Sequence, residues 1–386
     1  MTRIRIPLFL LTAVSLTACS AATAGEAPPR AAASAANETP AKVTVAPPAA
    51  GRPVTVTASG GTLARVKVVD AEGIVLVGRT GANGASWASD RKAAPGTSYT
   101  VEATSRTAGG KETTSRSTFS IPEADDVNKL TLAPGKNTTV GVAQPLSIVF
   151  DHPVKNKADV ERQLKVTTSN GTEGSWGWLT DYSGRDRVDW RPKEYWKPGT
   201  EVTLDATLDG TDSGGGWFVR DYSTRFTVSD QDQVIKVDLD RKRLSVLRDG
   251  RTVRTIPVSG GTPGGDKRSW RGTAVVMAKE GTINMNSETV GLGDAYNKMV
   301  DYSMRLTWSG MYAHAAPWNA QYFGRANHSS GCIGMSTEQA ASFYASVRVG
   351  DPFEITGADT KGTVAEGNGY GAWNLSWQQW KAKSAL

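Results

Sequence analysis

The segment Ile235-Lys236-Val237-Asp238-Leu239-Asp240 decides the fold of the second half of the chain, because its apolar and charged residues alternate strictly. A period of two is typical of a strand with one buried face. Leu244 and Val246 start a second strand. Asp249-Gly250 is a strong hairpin turn, after which residues 253–258 form a third strand that runs back in the opposite direction. This part of the chain is therefore predicted to be mainly β.

Two more strands and one helix are predicted further along. The strands cover residues 273–277 and 305–307. Ser336 and Gln339 have the spacing of a capping box, which marks a helix start, and Gly350 is expected to end that helix. Four residues would form its apolar face: Ala340, Phe343, Tyr344 and Val347.

Two all-β units are predicted upstream, at 41–122 and 123–229. In the first, apolar residues alternate with polar ones in three pairs: Val43 and Val45, Val54 and Val56, Val66 and Val68. The second shows the same alternation at Leu146, Ile148 and Phe150. It also has five tryptophans, which fit core packing better than a carbohydrate platform: Trp176, Trp178, Trp190, Trp196 and Trp217.

The C-terminal segment 357–386 contains three further tryptophans, Trp373, Trp377 and Trp380. Their spacing of four and three residues predicts that the indoles lie on one side of a short helix. Docking of that helix onto the preceding unit, 230–356, is favoured over ligand stacking.

The N-terminus has the pattern of an export signal. Arg3 and Arg5 precede an apolar run at 6–16 that is too short to cross a bilayer as a mature helix. The ending Leu16-Thr17-Ala18-Cys19 resembles a bacterial lipobox. Residues 1–18 are therefore expected to be removed and Cys19 to be lipidated. A plain signal peptide, in which Cys19 is discarded, is the alternative.

Composition limits the remaining possibilities. A length of 386 residues indicates two to four domains. Residues 19–40 are rich in Ala, Pro and Ser and are expected to be a disordered tether. The net charge of +6 is too diffuse to predict nucleic-acid binding.

Only two cysteines exist, Cys19 and Cys332. If Cys19 carries lipid, Cys332 is an unpaired thiol in an exported protein, where oxidation threatens it. A catalytic nucleophile would account for such a thiol, and an inert core cysteine is the alternative reading.

Three histidines can be considered as its base. His152 has no cysteine near it in sequence, whereas His314 and His328 precede Cys332 by 18 and 4 residues. A nearby imidazole is expected to lower the thiol pKa through an ion pair. Gly331 allows a tight turn whose amides could stabilise an oxyanion.

Metal and cofactor chemistry are disfavoured. The cysteines and histidines have neither Cys-x-x-Cys nor His-x₃-His spacing. The sequence also lacks a Gly-x-Ser-x-Gly elbow, a P-loop and a dinucleotide fingerprint. No cofactor and no metal site are therefore predicted.

Three motifs resemble one enzyme family. They are Ser-Gly-Met-Tyr-Ala-His314-Ala-Ala-Pro-Trp318, Ser-Gly-Cys332-Ile-Gly-Met-Ser336 and Gly-Asn-Gly-Tyr-Gly-Ala-Trp373-Asn-Leu-Ser-Trp377. From residue 231 onwards the chain resembles the catalytic domain and tail of bacterial L,D-transpeptidases, notably the multi-domain actinobacterial kind. The segments Phe-Asp-His152-Pro-Val and Trp-Arg-Pro-Lys-Glu-Tyr-Trp196 are similar to the immunoglobulin-like module that precedes it. The fold implied is mainly β: two immunoglobulin-like β-sandwiches, a β-rich catalytic domain with one helix, and a short helical tail.

The resemblance implies roles for individual residues. Cys332 matches the acylated nucleophile, and His314 matches its base, held by the backbone carbonyl of Ala315. The amides of Gly331 and Cys332 match the oxyanion donors. Three residues match the walls of the substrate pocket: Tyr296 on the donor side, with Met285 and Trp318.

The sequence departs from the family at two positions. Ser330 stands where histidine is usual, and Gly334 stands where many members have Asn or Arg. His328, two positions before Ser330, could take over part of the histidine's role if that segment is extended. The alternative is that the role is dispensable. Both departures bear on rate and substrate preference more than on reaction class.

The implied reaction is the joining of peptidoglycan stem peptides. The thiolate attacks the third-residue diaminopimelate carbonyl of a tetrapeptide donor, D-Ala leaves, and a diaminopimelate amine of the acceptor stem forms a 3→3 cross-link. Carbapenems are implied as covalent inhibitors. The enzyme would work in the cell wall, lipid-anchored to the outer face of the cell membrane. An L,D-carboxypeptidase and a weakly active wall-binding lipoprotein are the alternatives.

Overall fold

The alternating segments of the sequence form strands, and the chain is mainly β, as predicted. The computed structural model describes residues 39–294 and 296–386. The signal segment, Cys19 and nearly all of the tether lie outside the described residues. Residues 40–386 form one compact unit. No helix in this described part is long and apolar enough to cross a membrane.

The first β unit contains eight strands: β1 (Lys42–Ala46), β2 (Pro53–Ser59), β3 (Thr62–Asp70), β4 (Val75–Leu76), β5 (Gly78–Thr80), β6 (Ser86–Lys92), β7 (Ser98–Arg106) and β8 (Glu112–Ser120). They form two four-stranded sheets, in the orders β1-β2-β6-β5 and β4-β3-β7-β8. Val54, Val56 and Val68 are fully buried between these sheets, so the predicted alternation does define a core face.

The second β unit contains eight more strands and one short helix: β9 (Leu130–Ala133), β10 (Thr138–Val140), β11 (Leu146–Phe150), α1 (Lys157–Glu161), β12 (Leu164–Thr168), β13 (Gly174–Thr180), β14 (Asp186–Pro192), β15 (Glu201–Ala206) and β16 (Tyr222–Val228). Its sheets have the orders β10-β16-β15-β12 and β13-β14-β11-β9. Four of the five tryptophans are buried in the core between them: Trp176, Trp178, Trp190 and Trp196.

The fifth tryptophan, Trp217, packs between units. A Cβ atom on Gly51 of the first β unit would lie only 2.8 Å from its indole ring. Gly51 has φ +71°, a conformation that glycine adopts without strain. The packing interpretation therefore holds for all five indoles.

The third unit contains nine strands and a helix: β17 (Gln233–Asp238), β18 (Arg243–Arg248), β19 (Arg251–Pro257), β20 (Gly272–Val275), β21 (Ala278–Asn286), β22 (Asn297–Arg305), β23 (Tyr312–Ala315), β24 (Ile333–Met335), α2 (Thr337–Ser346) and β25 (Pro352–Thr356). Its two sheets have the orders β19-β18-β17-β25-β20 and β21-β22-β23-β24. Three short 3₁₀ helices cover Gly265–Lys267, Ser287–Val290 and Pro317–Tyr322.

The opening hairpin of this unit follows its sequence pattern. Ile235 and Val237 are buried, and β17 pairs with β18 in antiparallel register. Asp249 and Gly250 both have positive φ angles, 50° and 73°, as the tight turn requires. The strand expected at 305–307 is the end of the longer β22, which stops at Arg305.

Helix α2 begins as predicted and ends earlier. Ser336 accepts a hydrogen bond from the Gln339 N–H at 3.3 Å, but the Gln339 side chain accepts from Arg254 Nη2 at 2.6 Å. Only half of a capping box therefore forms. The helix stops at Ser346, not at Gly350, and the residues between continue as an irregular segment.

The tail differs from its prediction. Trp373 lies in the 3₁₀ helix Gly371–Asn374, whereas Trp377 and Trp380 lie in α3 (Trp377–Lys381). The indole of Trp380 donates to the Ser175 carbonyl and packs on Gly177, so α3 docks onto the second β unit. The prediction of one helix carrying all three indoles was wrong, because helical spacing cannot show a break at residues 375–376. The predicted docking on the third unit holds for the 3₁₀ helix, whose Asn374 bonds to Thr273, and not for α3.

Candidate active site

Strand pairing brings Cys332 and His314 together across a span of 18 residues. Strands β23 and β24 run parallel, with Ala313 opposite Ile333 and His314 opposite Gly334. Cys332 directly precedes β24. Both side chains are buried, yet both line one cavity of about 400 Å³. We call it the thiol cavity.

The backbone fixes the tautomer of His314. Its Nδ1 lies 2.7 Å from the carbonyl oxygen of Ala315, the contact that the family resemblance implied. Because a carbonyl only accepts, Nδ1 must carry the proton and Nε2 is left as the basic nitrogen. Burial lowers the pKa of His314 to about 4, so the imidazole is neutral at physiological pH.

The Cys332 thiol is also neutral. Its Sγ donates to the carbonyl of Gly310 at 3.6 Å. Burial raises the pKa of Cys332 to about 11, and the backbone N–H of Tyr312 offsets this only in part. The expected lowering of the thiol pKa by an imidazole ion pair is therefore not found, because the cost of burying both charges dominates.

The turn at 329–332 shapes the position of the thiol. Gly331 has φ +115°, in the region that favours glycine. The hydroxyl of Ser329 donates to the Cys332 carbonyl at 2.7 Å and accepts from the Gly331 N–H at 3.2 Å. The N–H of Cys332 has no hydrogen-bond partner among the described residues. Of the two amides predicted for an oxyanion, the Cys332 amide is free and the Gly331 amide is engaged.

Five other residues predicted for the site line the thiol cavity. They are Met285, Tyr296, Trp318, His328 and Ser330. Burial, with the nearby Cys332, raises the pKa of Tyr296 to about 12, so it is a neutral phenol that can donate a hydrogen bond.

The segment between His328 and Ser330 is not a continuous strand. Residues 330–332 form a bend, so the argument that residues two apart face one side does not apply there. The two side chains reach the same cavity all the same. His328 packs against Tyr322, with ring centroids 4.2 Å apart and the ring planes tilted by 30°.

Gly334 does not line the cavity. It is buried between β23 and Ser259, with which it exchanges two backbone hydrogen bonds of 2.9 Å. A Cβ there would meet the Ala316 Cβ at 2.9 Å. The expected substrate contact at this position is replaced by tight packing.

Sequence reasoning missed several cavity residues. Lys298 and Lys267 line the wall, as do Thr262 and Asn319. Lys298 was in principle detectable, because Tyr296, Lys298 and Val300 alternate along one face at the start of β22. Lys267 comes from the 3₁₀ helix 265–267, which carries no periodic signal.

A buried serine holds the loop between β21 and β22. The Ser287 hydroxyl accepts from the Tyr296 N–H at 2.9 Å and lies 2.6 Å from the Gly293 carbonyl and 2.9 Å from the Tyr296 carbonyl. The Ser287 N–H also donates to the Tyr296 carbonyl at 2.9 Å. Ser287 therefore sets where the Tyr296 backbone enters the cavity wall.

Metal-ligand clusters are absent from residues 39–294 and 296–386: no group of three His, Cys, Asp or Glu side chains is placed to hold an ion. A second cavity, of about 620 Å³, lies where the second and third units meet. Neither cysteine nor histidine lines it.

The fold and the site define a class: β-sandwich units joined to a β-rich unit whose cavity contains a buried cysteine and histidine. Comparison with known proteins agrees. The family described as "L,D-transpeptidase catalytic domain" matches residues 232–355, and "Bacterial Ig domain" matches residues 45–212.

Two relatives from Mycobacterium tuberculosis and one solved structure are similar. L,D-transpeptidase 2 is 33% identical over 341 residues, covering 86% of this chain and 81% of the relative. L,D-transpeptidase 5 is 36% identical over 250 residues, covering 64% and 54%. The structure of an LD transpeptidase in complex with imipenem is 31% identical, with a TM-score of 0.51, over 60% of this chain and 99% of that one. The chain belongs to the L,D-transpeptidase family and is an L,D-transpeptidase.

Proposed function

We propose that this enzyme forms 3→3 cross-links between peptidoglycan stem peptides through a thioester on Cys332. One observation carries the proposal: a buried thiol and a neutral imidazole share the wall of one open cavity. The carbonyl of Ala315 orients that imidazole so that its basic nitrogen is available.

In the first half-reaction Cys332 is acylated. The Sγ proton passes to Nε2 of His314 as Sγ bonds to the carbonyl carbon of the third donor residue, a diaminopimelate. The negative charge that develops on the carbonyl oxygen is stabilised by the free N–H of Cys332, joined by the Gly331 N–H if Ser329 releases it. His314 then returns the proton to the nitrogen of the departing D-Ala, and the thioester remains.

In the second half-reaction an acceptor amine replaces the thiol. The side-chain amine of a second diaminopimelate attacks the thioester carbon, His314 takes its proton, and Sγ leaves as it is reprotonated. Because thiol and imidazole start and end neutral, each step moves a proton and creates no lasting buried charge. This matches the raised pKa of Cys332 and the lowered pKa of His314.

The proposal extends to location and inhibition. The N-terminal pattern and Cys19 support export and lipid anchoring at the outer face of the membrane. The solved relative bound to imipenem supports carbapenems as acylating agents of Cys332. We further propose units at 41–122, 123–229, 230–356 and 357–386, with the β units setting the height of the site in the wall.

Mass spectrometry of reaction products tests the proposal. The chain from Pro40 onwards is incubated with a disaccharide-tetrapeptide, beside a Cys332→Ala variant that retains the fold. We expect dimers that have lost one D-Ala, formed only when Cys332 is present. Tripeptide monomer alone would indicate an L,D-carboxypeptidase, in which water resolves the same thioester. No product from a folded, reduced enzyme would indicate a wall-binding lipoprotein.

A further inference from the structure

The thiol cavity has a cationic wall. Lys267 and Lys298 both line it, and no aspartate or glutamate does. Neither lysine forms an ion pair within residues 39–294 and 296–386. Because His314 is neutral, the cavity carries two positive charges that have no protein counter-ion. A cavity of this kind attracts an anionic ligand.

Lys298 is the better placed of the two. It is half-buried on β22, directly opposite Met285 of β21. Its Nζ lies 4.3 Å from the ring centroid of Trp318. An ammonium held over an indole keeps its charge and loses part of its freedom of movement, so it is partly ordered before any ligand arrives. Lys267, by contrast, is exposed at the rim.

Lys298 lies on the His314 side of the cavity. The Trp318 ring that it contacts has its centroid 6.0 Å from the His314 ring. The positive charge of Lys298 also contributes to the lowered pKa of His314, after the larger effect of burial. The ammonium is therefore close to the imidazole that exchanges protons with the substrate.

That position identifies the anionic group. In the proposed reaction His314 gives its proton to the nitrogen of the departing residue. The carboxylate of that residue is only two bonds away from this nitrogen, so it must lie near His314 as well. We propose that Lys298, assisted by Lys267, binds the free C-terminal carboxylate of the donor stem, and so selects tetrapeptides that end in an unmodified acid. This assignment rests on the proposed function.

Donors with and without that charge provide the main test. D-Ala release by the complete chain is measured with a tetrapeptide acid, with its C-terminal amide, and with a tetrapeptide amidated only on the diaminopimelate side chain. We expect a preference of about tenfold in kcat/KM for the first over the second, since a charge-assisted hydrogen bond in a half-buried site is lost. Amidation of the diaminopimelate should change the rate less than about twofold.

Variants then connect the preference to the lysine. Lys298→Gln should cut kcat/KM for the acid about tenfold, mostly through KM, and leave the amide nearly unchanged. Lys298→Arg should retain most of the preference, and Lys267→Gln should lose part of it. Lys165→Gln removes an equal charge from the exposed face of β12 and should have no effect. Equal use of acid and amide by the wild type, or an equal loss on both with Lys298→Gln, would refute the proposal.

A second readout does not need the peptidoglycan reaction. Iodoacetate and iodoacetamide alkylate the same thiol, and only iodoacetate carries a negative charge. The ratio of the iodoacetate rate to the iodoacetamide rate therefore reports the electrostatic potential at Cys332. We expect Lys298→Gln to lower this ratio several-fold relative to the wild type and to Lys165→Gln. If the ratio is unchanged and D-Ala release is normal, the carboxylate site at Lys298 is refuted and the proposed function is not. No release of D-Ala from any donor would refute the proposed function, and this assignment with it.

Discussion

At the scale of single residues, burial controls the chemistry of the site. Cys332 and His314 are both nearly inaccessible, and burial shifts their pKa values in opposite directions, to about 11 and about 4. Both shifts favour the uncharged form. The cavity therefore contains a neutral thiol and a neutral imidazole, as the proposed mechanism requires.

The pH dependence of thiol alkylation tests this state. Only the thiolate reacts with iodoacetamide, so below the thiol pKa the rate should rise about tenfold per pH unit. With a pKa near 11 we expect this rise to continue without a plateau from about pH 6 to about pH 10. The measurement is the pseudo-first-order rate followed by intact mass, with Cys332→Ala as the blank. A plateau that begins below about pH 8 would show a preformed thiolate and contradict the neutral pair.

The same two residues show what sequence can reveal about a site. The candidates were few, since the chain has two cysteines and three histidines, and family motifs separated them. The sequence did not predict the protonation states of Cys332 and His314 correctly. The apolar residues that bury them come from strands distant in sequence, and burial outweighs the local imidazole that the sequence suggested.

At the scale of elements, the hairpin of β21 and β22 forms one wall of the cavity. It carries Met285, Tyr296 and Lys298, and its loop is closed by hydrogen bonds to the buried Ser287. The Tyr296 backbone is therefore held by the Ser287 hydroxyl together with the Ser287 N–H.

We expect Ser287→Ala to weaken acylation more than stability. Loss of the hydroxyl leaves the Tyr296 N–H unpaired, which should cost about 1–2 kcal/mol in the free energy of unfolding and loosen the loop. The acylation rate of Cys332 by a carbapenem should fall about tenfold. Ser303→Ala is the matched control, since Ser303 is also buried on β22 and its hydroxyl donates to the Val300 carbonyl at 3.1 Å, away from Tyr296. An equal loss of acylation in both variants would show that Ser287 acts only through stability.

The sequence predicts strands with a buried face and fails to predict strands without one. Apolar residues recur along the whole length of β17 and β11, so the sequence predicts both strands. Strand β21 was missed because most of its side chains are partly exposed on both faces, so it has no period of two. The prediction for the tail fails for a different reason: Trp373 lies in a 3₁₀ helix and the other two indoles lie in α3, and the spacing of the indoles does not show the break between them.

At the scale of the molecule, one arginine joins the second β unit to the tail. Arg191 of β14 is buried, with Trp373, Trp377 and Trp380 around its guanidinium at 4.6, 5.7 and 5.1 Å. Its Nη2 donates to the carbonyls of Ala372 and Leu375, 3.3 and 3.1 Å away. Burial lowers the pKa of Arg191 to about 10, which leaves it charged at neutral pH.

The tail in turn is fixed to the third unit. The side chain of Asn374 accepts from the Thr273 N–H at 2.7 Å and donates to the Thr273 carbonyl at 2.8 Å, at the edge strand β20. Tyr195 of the second β unit also donates to Glu354 of β25 at 3.2 Å. The second β unit and the third unit are thus joined through the tail as well as directly.

Arg191→Ala should therefore uncouple the two units. The substitution removes a buried cation and its contacts with two carbonyls and three indoles. We expect the free energy of unfolding to fall by about 3 kcal/mol and Tm to fall by about 10 °C. We expect calorimetry to show one transition for the second and third units in the wild type and two in the variant. Arg225→Ala is the control, because its ion pair with Glu201 is exposed on the same unit and should contribute less than about 1 kcal/mol. If Arg191→Ala unfolds in one transition at the wild-type temperature, the junction is held by its other contacts, among them the buried Trp380 indole and the bond from Arg187 to the Gly369 carbonyl, and not by Arg191.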